Sequence, residues 1–250
     1  MLKQVVEAEN IKIRRSLLLY LHLIVLFLFP VLFGLYYGSR KQVIIPANMI
    51  IGFYEILAIA SPIIISVVIC LVFDREEKAG NFKNWLTEPI SKGWMIQAQL
   101  SYYWIWYVIE IMGTSLIFSG VLFGIYQIRF SLLKIALTSI AFSLCGIVQY
   151  ELTQIIALRW GIGGALILEF FGTVISLLSI TSLLDFVWPI IPWTWQIRLT
   201  TFWQTNIDLG LVKLSLIEYL IPLMLTCLIM LTCLIIFWGK RYFDNWQGKN

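Results

Sequence analysis

Five glutamates stand within or at the ends of apolar segments: Glu55, Glu110, Glu151, Glu169 and Glu218. A carboxylate in hydrocarbon costs about 3 kcal/mol on insertion scales, so each needs a partner, a wet cavity or a proton. Two chemistries follow. Glu110, Glu151 and Glu169 could form the proton relay of an ion-coupled carrier, or the acids could be satisfied locally, with His22 and Arg159 as the basic residues at similar inner depth. His22 is the single histidine, and the four cysteines (Cys70, Cys145, Cys227, Cys233) lie in apolar stretches without metal-ligand spacing, so no metal site is expected. A phosphate-binding GxxxxGK[ST] loop is absent, and Gly239-Lys240-Arg241 does not substitute for one. ATP-driven work would need a separate polypeptide. No nucleophile–base–acid arrangement can be assembled from so little polar material, and catalysis by this chain is not expected.

A second kind of chemistry, recognition of another protein, is suggested by the stretch 74–95, DREEKAGNFKNWLTEPISKGWM. It holds eight of the 32 Asp, Glu, Lys and Arg side chains, between two apolar segments that hold almost none. Such an island must face water. Phe82, Trp85 and Leu86 recur at i, i+3 and i+4, which on a helix makes a short apolar ridge suited to a groove on a partner. A plain connecting turn would need only polar and turn residues.

The elements that position these residues follow from composition. The chain of 250 residues is 60% hydrophobic and 13% charged, with a mean hydropathy of +0.87. A soluble domain carries about 25% charged residues. Crossing the hydrocarbon layer takes roughly 20 apolar residues, and such stretches occur near 16–37, 50–73, 98–126, 132–157, 161–184 and 214–238. The expected fold class is therefore an all-α integral membrane protein of six transmembrane helices, forming one transmembrane domain over 1–250. The first apolar stretch runs through Tyr37 with no small-residue cleavage site, and is read as a retained span. Twelve of the 18 basic residues fall on the side of the termini and the island, which places that side in the cytoplasm. The net charge of +4 reflects this topology and anionic headgroups, so nucleic-acid binding is not inferred.

Residues 1–15 alternate acids (Glu7, Glu9), bases (Lys12, Arg14, Arg15) and apolar residues, as an interfacial helix along the inner membrane surface would. Pro30, Pro62 and Pro222 are expected to kink their spans. Gly120 and Gly124 form a GxxxG pair, and Gly161, Gly163, Gly164 and Gly172 line the fifth span, allowing close helix approach within or between subunits. The segment 185–213 carries Trp188, Trp193, Trp195 and Trp203, broken by Pro189 and Pro192; it reads as a short re-entrant or interfacial element making an aromatic floor on the outer face. With Glu55, Asp185, Asp208 and Glu218, its Trp193 and Trp195 are candidate contacts for a cationic amphipathic substrate.

The island resembles the coupling loop of ABC-2-type permeases, in particular the permeases of lantibiotic immunity transporters. The residues that carry this are Glu76, Glu77, Ala79-Gly80-Asn81-Phe82, Leu86 and Pro89-Ile90-Ser91-Lys92. Lys92 stands where Arg is common, and Gln99 where a Lys often opens the third span. The resemblance implies an ATPase-coupling role for Glu76, Glu77, Gly80, Asn81, Phe82, Trp85, Leu86 and Pro89. It also implies two copies of a separate ABC ATPase carrying ATP and Mg, a second and non-identical permease, a lantibiotic peptide as substrate and residence in a bacterial plasma membrane. A different class, a peptide-sequestering immunity protein, would protect the cell without an ATPase.

Overall fold

In a bilayer each backbone N–H and C=O of an apolar stretch must be satisfied within that stretch, and the helix does so. The computed structural model describes residues 2–14, 16–80, 82, 91–208, 232–233 and 236–245, and among these there is no strand. In chain order come α1 (Leu2–Arg14), α2 (Leu17–Leu23), a π-helical turn (Ile24–Leu28), α3 (Phe29–Ser39), α4 (Pro46–Lys78), α5 (Lys92–Tyr126) and α6 (Leu132–Leu178). Two 3₁₀ turns, Ser182–Leu184 and Trp188–Ile190, precede α7 (Pro192–Asp208), and residues 236–244 are again helical. Four helical units among the described residues are long and apolar enough to cross a membrane: Leu17–Ser39, α4, α5 and α6. The sixth stretch, 214–238, lies outside the described residues except near its end, as do Pro222 and Glu218.

A π-helical turn, Ile24–Leu28, stands just before Pro30. Proline lacks an N–H and its ring crowds the carbonyl four residues back, and one wider turn relieves both problems.

Within α6 the chain reverses. Gly161 has φ 76° and ψ −174°, a conformation open to glycine because it has no Cβ. On a straight helix Thr153 and Glu169 would be about 24 Å apart. Instead the Thr153 hydroxyl donates to the Glu169 carboxylate. The arms on either side of Gly161 are therefore antiparallel, and the reversal falls close to the gap between the apolar stretches 132–157 and 161–184.

Helix α4 packs on α6 and α7, while α5 lies against α3, α6 and α1. Phe53 of α4 and Phe118 of α5 stack with centroids 4.1 Å apart at one level of this core. At mid-length the core turns polar: Tyr107 shares a 2.6 Å hydrogen bond with Ser61, and Gln196 of α7 donates to the Tyr107 hydroxyl at 2.7 Å. Gln149 donates in turn to Gln196 at 3.3 Å. The first turns of α7 thus reach the middle of α4 and α5.

Candidate coupling site

The charged end of the bundle is organised around a carboxylate of α1. Glu9, 2% exposed, accepts from Lys12 Nζ at 2.9 Å and Gln99 Nε2 at 3.0 Å on one oxygen, and from Arg75 Nη2 at 2.7 Å and the Tyr103 hydroxyl at 2.6 Å on the other. Glu76 accepts from Lys12 at 2.8 Å and from Arg75 Nη2 at 3.1 Å. Two acids and two bases thus form a neutral cluster joining α1, the last turn of α4 and the third and fourth turns of α5. Buried charge is tolerable on these terms, with opposite charge and hydrogen bonds in the same place. Gln99 fits this arrangement; a lysine there would add a third cation to a balanced set.

Burial by itself would raise the Glu9 carboxyl, but the Arg75 guanidinium, the Tyr103 hydroxyl and Lys12 outweigh it and hold the group below its ordinary value of 4.5. The unfolded chain therefore binds this proton more tightly than the folded one. The contribution of Glu9 to stability is complete above the ordinary carboxylate range and is lost as pH falls through that range toward the lower folded value. The difference in thermal stability between the purified unaltered protein and Glu9→Gln should therefore be constant from about pH 7 to about pH 5 and shrink below. Equal acid sensitivity in the two proteins would assign the acid loss to other groups.

Beyond α4 the backbone turns sharply. Gly80 has φ 146°, and Phe82 has φ 63°, uncommon for a residue with a side chain. The Phe82 N–H donates to the Glu76 carbonyl at 3.3 Å, and its ring, 1% exposed, lies 5.6 Å from that of Phe73. The expectation of Phe82 on an exposed helical ridge is corrected on this point: the reversal at Gly80 swings the ring back under α4, where it anchors the island to the bundle. Asn81, Trp85, Leu86 and Pro89 lie outside the described residues. Glu77 is half-buried, and the exposed Lys78–Asp74 pair at 2.7 Å closes the helix surface.

The start of α5 is also held from the far end of the chain. Asp244 Oδ1 accepts the Gly93 N–H at 3.0 Å, satisfying one of the donors that a helix N-terminus leaves free. Lys240 lies 4.1 Å over the Trp94 ring, and Phe243 is fully buried. A Cβ on Gly93 would come 2.6 Å from the Lys240 carbonyl and 2.8 Å from Asp244 Oδ1. Gly93→Ala should therefore lift residues 240–244 off α5 and cost about 2 kcal/mol of stability. Denaturation of the purified protein checks this, and an unchanged transition would mean that the chain end does not rest on α5.

The intramembrane acids have separate partners. His22 Nδ1 meets Glu110 at 2.8 Å, Gln97 donates to Glu151 at 2.6 Å, and Glu169 accepts from Thr153 and from Trp193 Nε1, the latter at 2.7 Å. Arg159 pairs with none of them and lies 5.2 Å over Trp160. Of the expected substrate contacts, Trp193 is turned inward by Glu169, and Trp195, 2% exposed, donates to the Pro189 carbonyl at 3.0 Å. Asp185 pairs with Arg198 at 2.7 Å. These three fasten the 185–208 segment to itself and to α6, so their polar groups are turned to internal partners. Glu55 is half-buried on α4, and Asp208 closes α7.

Sequence reading missed the joint roles of Glu9, Lys12, Arg75, Gln99, Tyr103 and Asp244. A local signal existed only for Glu9 and Lys12, an acid three residues before a base on one helical face.

A bundle of long apolar helices with a charged end clamped by α1 and residues 240–244 defines a multi-pass membrane protein. The family model described as ABC-2 family transporter protein matches residues 5–184, and the chain belongs to that family. It is thus a transport membrane subunit, and membership implies partnership with an ABC ATPase. No curated protein and no solved structure matches the chain significantly.

Proposed function

We propose that this chain is the permease of an ABC exporter that removes a cationic, membrane-active peptide of the lantibiotic type from a bacterial plasma membrane, protecting the cell that makes it. Two copies of an ATPase subunit supply ATP and Mg, a second and non-identical permease completes the pair, and both termini and the island face the cytoplasm. The observation that carries the coupling part is the clamping of both helices that flank the island. Glu9 ties the end of α4 to α5, Asp244 holds the first turn of α5, and Phe82 pins the turn between them. A force on 81–90 then moves α4 and α5 as levers, because packed and paired elements move as units. The six-span topology and the peptide substrate rest on the hydropathy pattern and on the resemblance of the island.

Purification of the tagged chain from its native membrane in mild detergent, with mass spectrometry of what accompanies it, tests this reading. A stoichiometric ATPase and a second permease are expected, together with loss of protection against a cationic lantibiotic when the gene is deleted. Recovery of the chain alone, under conditions that preserve other membrane complexes, would overturn it.

A further inference from the structure

The first span, Leu17–Ser39, is keyed to α5 at two levels. At the inner level His22 Nδ1 meets Glu110 at 2.8 Å, both side chains are buried, and the imidazole stacks on Trp106 with ring centroids 5.9 Å apart. At the outer level Gly34 faces Val121, and a Cβ on Gly34 would come 2.8 Å from Val121 Cγ1. One turn further out a Cβ on Gly38 would fall on the Tyr126 ring, whose hydroxyl donates to the Leu35 carbonyl at 3.2 Å. Helices approach this closely only where one of them presents small residues. The pairing of His22 with Glu110 and of Gly34 with Val121 makes the two helices parallel.

Between these levels the two helices count differently. From Glu110 to Val121 is eleven residues, and from His22 to Gly34 is twelve. At about 3.6 residues per turn, eleven residues bring a helix about 20° past three full turns, and twelve bring it about 120° past. Glu110 and Val121 therefore share one face of α5, whereas on an unbroken α-helix His22 and Gly34 would not share a face. The π-helical turn Ile24–Leu28 absorbs the surplus residue. Its closing bond runs from the Phe29 N–H five residues back to the Ile24 carbonyl, where an α-helix would use that of Val25. Leu26, within this turn, lies where Gly113 of α5 has no side chain, which leaves room for the wider backbone.

We infer that the π-helical turn is a register switch built into the first span. When the Phe29 N–H passes from the Ile24 to the Val25 carbonyl, the turn becomes α-helical and residues 29–39 rotate by one residue, about 100°, while His22 stays on Glu110. One hydrogen bond is exchanged for another, and Pro30, the next residue, has no N–H to re-pair. The rotation brings no charge into hydrocarbon. Residues 23–37 include no charged side chain, and Ile24, Phe27, Leu28 and Leu32 are each more than half exposed already. Gly34 then leaves Val121 and Phe33 takes its place, so the outer half of the span stands off α5 by the bulk of an aromatic ring. The seam between the two helices opens toward the bilayer while the inner half keeps its place. This device goes beyond the exporter reading and does not depend on it.

Disulfide trapping in native membranes tests the switch, with the four native cysteines replaced by alanine and the linked peptides read by mass spectrometry after oxidation. Trapping accumulates a register that is visited only briefly. Gly34→Cys with Val121→Cys reports the π-helical register, and Phe33→Cys with Val121→Cys the rotated one, because a disulfide forms only between Cβ atoms about 4 Å apart. Both pairs should link in the full-length chain, the second more slowly. Deletion of Val25 removes the surplus residue, so that an unbroken α-helix carries His22 and Gly34 to their partners together. In that chain the Gly34→Cys pair should link as before and the Phe33→Cys pair should lose its linkage. No linkage of the Phe33→Cys pair in the full-length chain, or the same rate with and without Val25, would overturn the switch. Loss of the Gly34→Cys linkage on deletion of Val25 would overturn it as well, since the residue would then not be surplus. None of these results bears on the ATPase partnership, which co-purification reads.

Discussion

Phe82→Asp is expected to abolish recovery of the ATPase with the permease while leaving the amount of chain in the membrane fraction unchanged. The ring is 1% exposed and lies against Phe73, so the substitution removes a buried aromatic anchor. Truncating such a side chain costs about 3–5 kcal/mol. The new carboxylate puts a charge where an apolar ring packs on Phe73. Asp tolerates a φ of 63° at least as well as Phe, so lost packing and buried charge, and not backbone strain, produce the effect. Phe82→Leu keeps an apolar plug and should retain most of the association. Recovery of the ATPase at the original level in Phe82→Asp would mean that the pinned turn plays no part in docking. The membrane spans lie elsewhere in the chain, which is why insertion serves as the internal control.

Glu9→Ala should be the most destabilising change on the charged end. It leaves Arg75 and Lys12 with Glu76 as their remaining described acid, and it strands Gln99 Nε2 and the Tyr103 hydroxyl, which both donate to Glu9. Removing one member of a buried ion pair costs about 3–5 kcal/mol because the partner charge stays buried. Glu9→Gln does not restore the site: its amide nitrogen would face donors from Arg75 and Tyr103 or from Lys12 and Gln99. The double variant Glu9→Ala, Arg75→Ala should lose less than the sum of the two single changes, since the two groups share one interaction. Thermal unfolding of the four proteins measures this. Additive losses would show that Glu9 and Arg75 act independently and that α1 is not fastened through them. Substrate-stimulated ATPase activity should fall in parallel with stability if α1 takes part in passing motion to α4 and α5.

The glutamates illustrate how far a linear pattern reaches. Sequence position located Glu110, Glu151 and Glu169 within apolar stretches and required a partner for each. It named His22 and Arg159 as the basic candidates, and only His22 is used, by Glu110. Gln97, Thr153 and Trp193 supply the rest. Neutral donors carry no pattern that distinguishes a partner from a packing residue, so side-chain identity could not select them. Phe82 shows the opposite failure. Its spacing to Trp85 and Leu86 satisfies a helical period, but a period places a side chain on a face only where its own residue is helical, and Phe82 has φ 63°.

The sequence by itself determined the membrane-spanning class, the approximate apolar stretches, the charged island and the want of an ATP-binding motif. Transfer into hydrocarbon depends on local composition summed over about 20 residues, which a single chain displays without knowledge of its neighbours. Only the tertiary structure decided that Glu9 sits under Arg75 and Tyr103, that Asp244 holds Gly93, that α6 reverses on itself at Gly161 and that Gln196 reaches Tyr107. Each of these depends on residues far apart in sequence or on a single backbone conformation, and the energy of a buried polar contact depends on both partners arriving together.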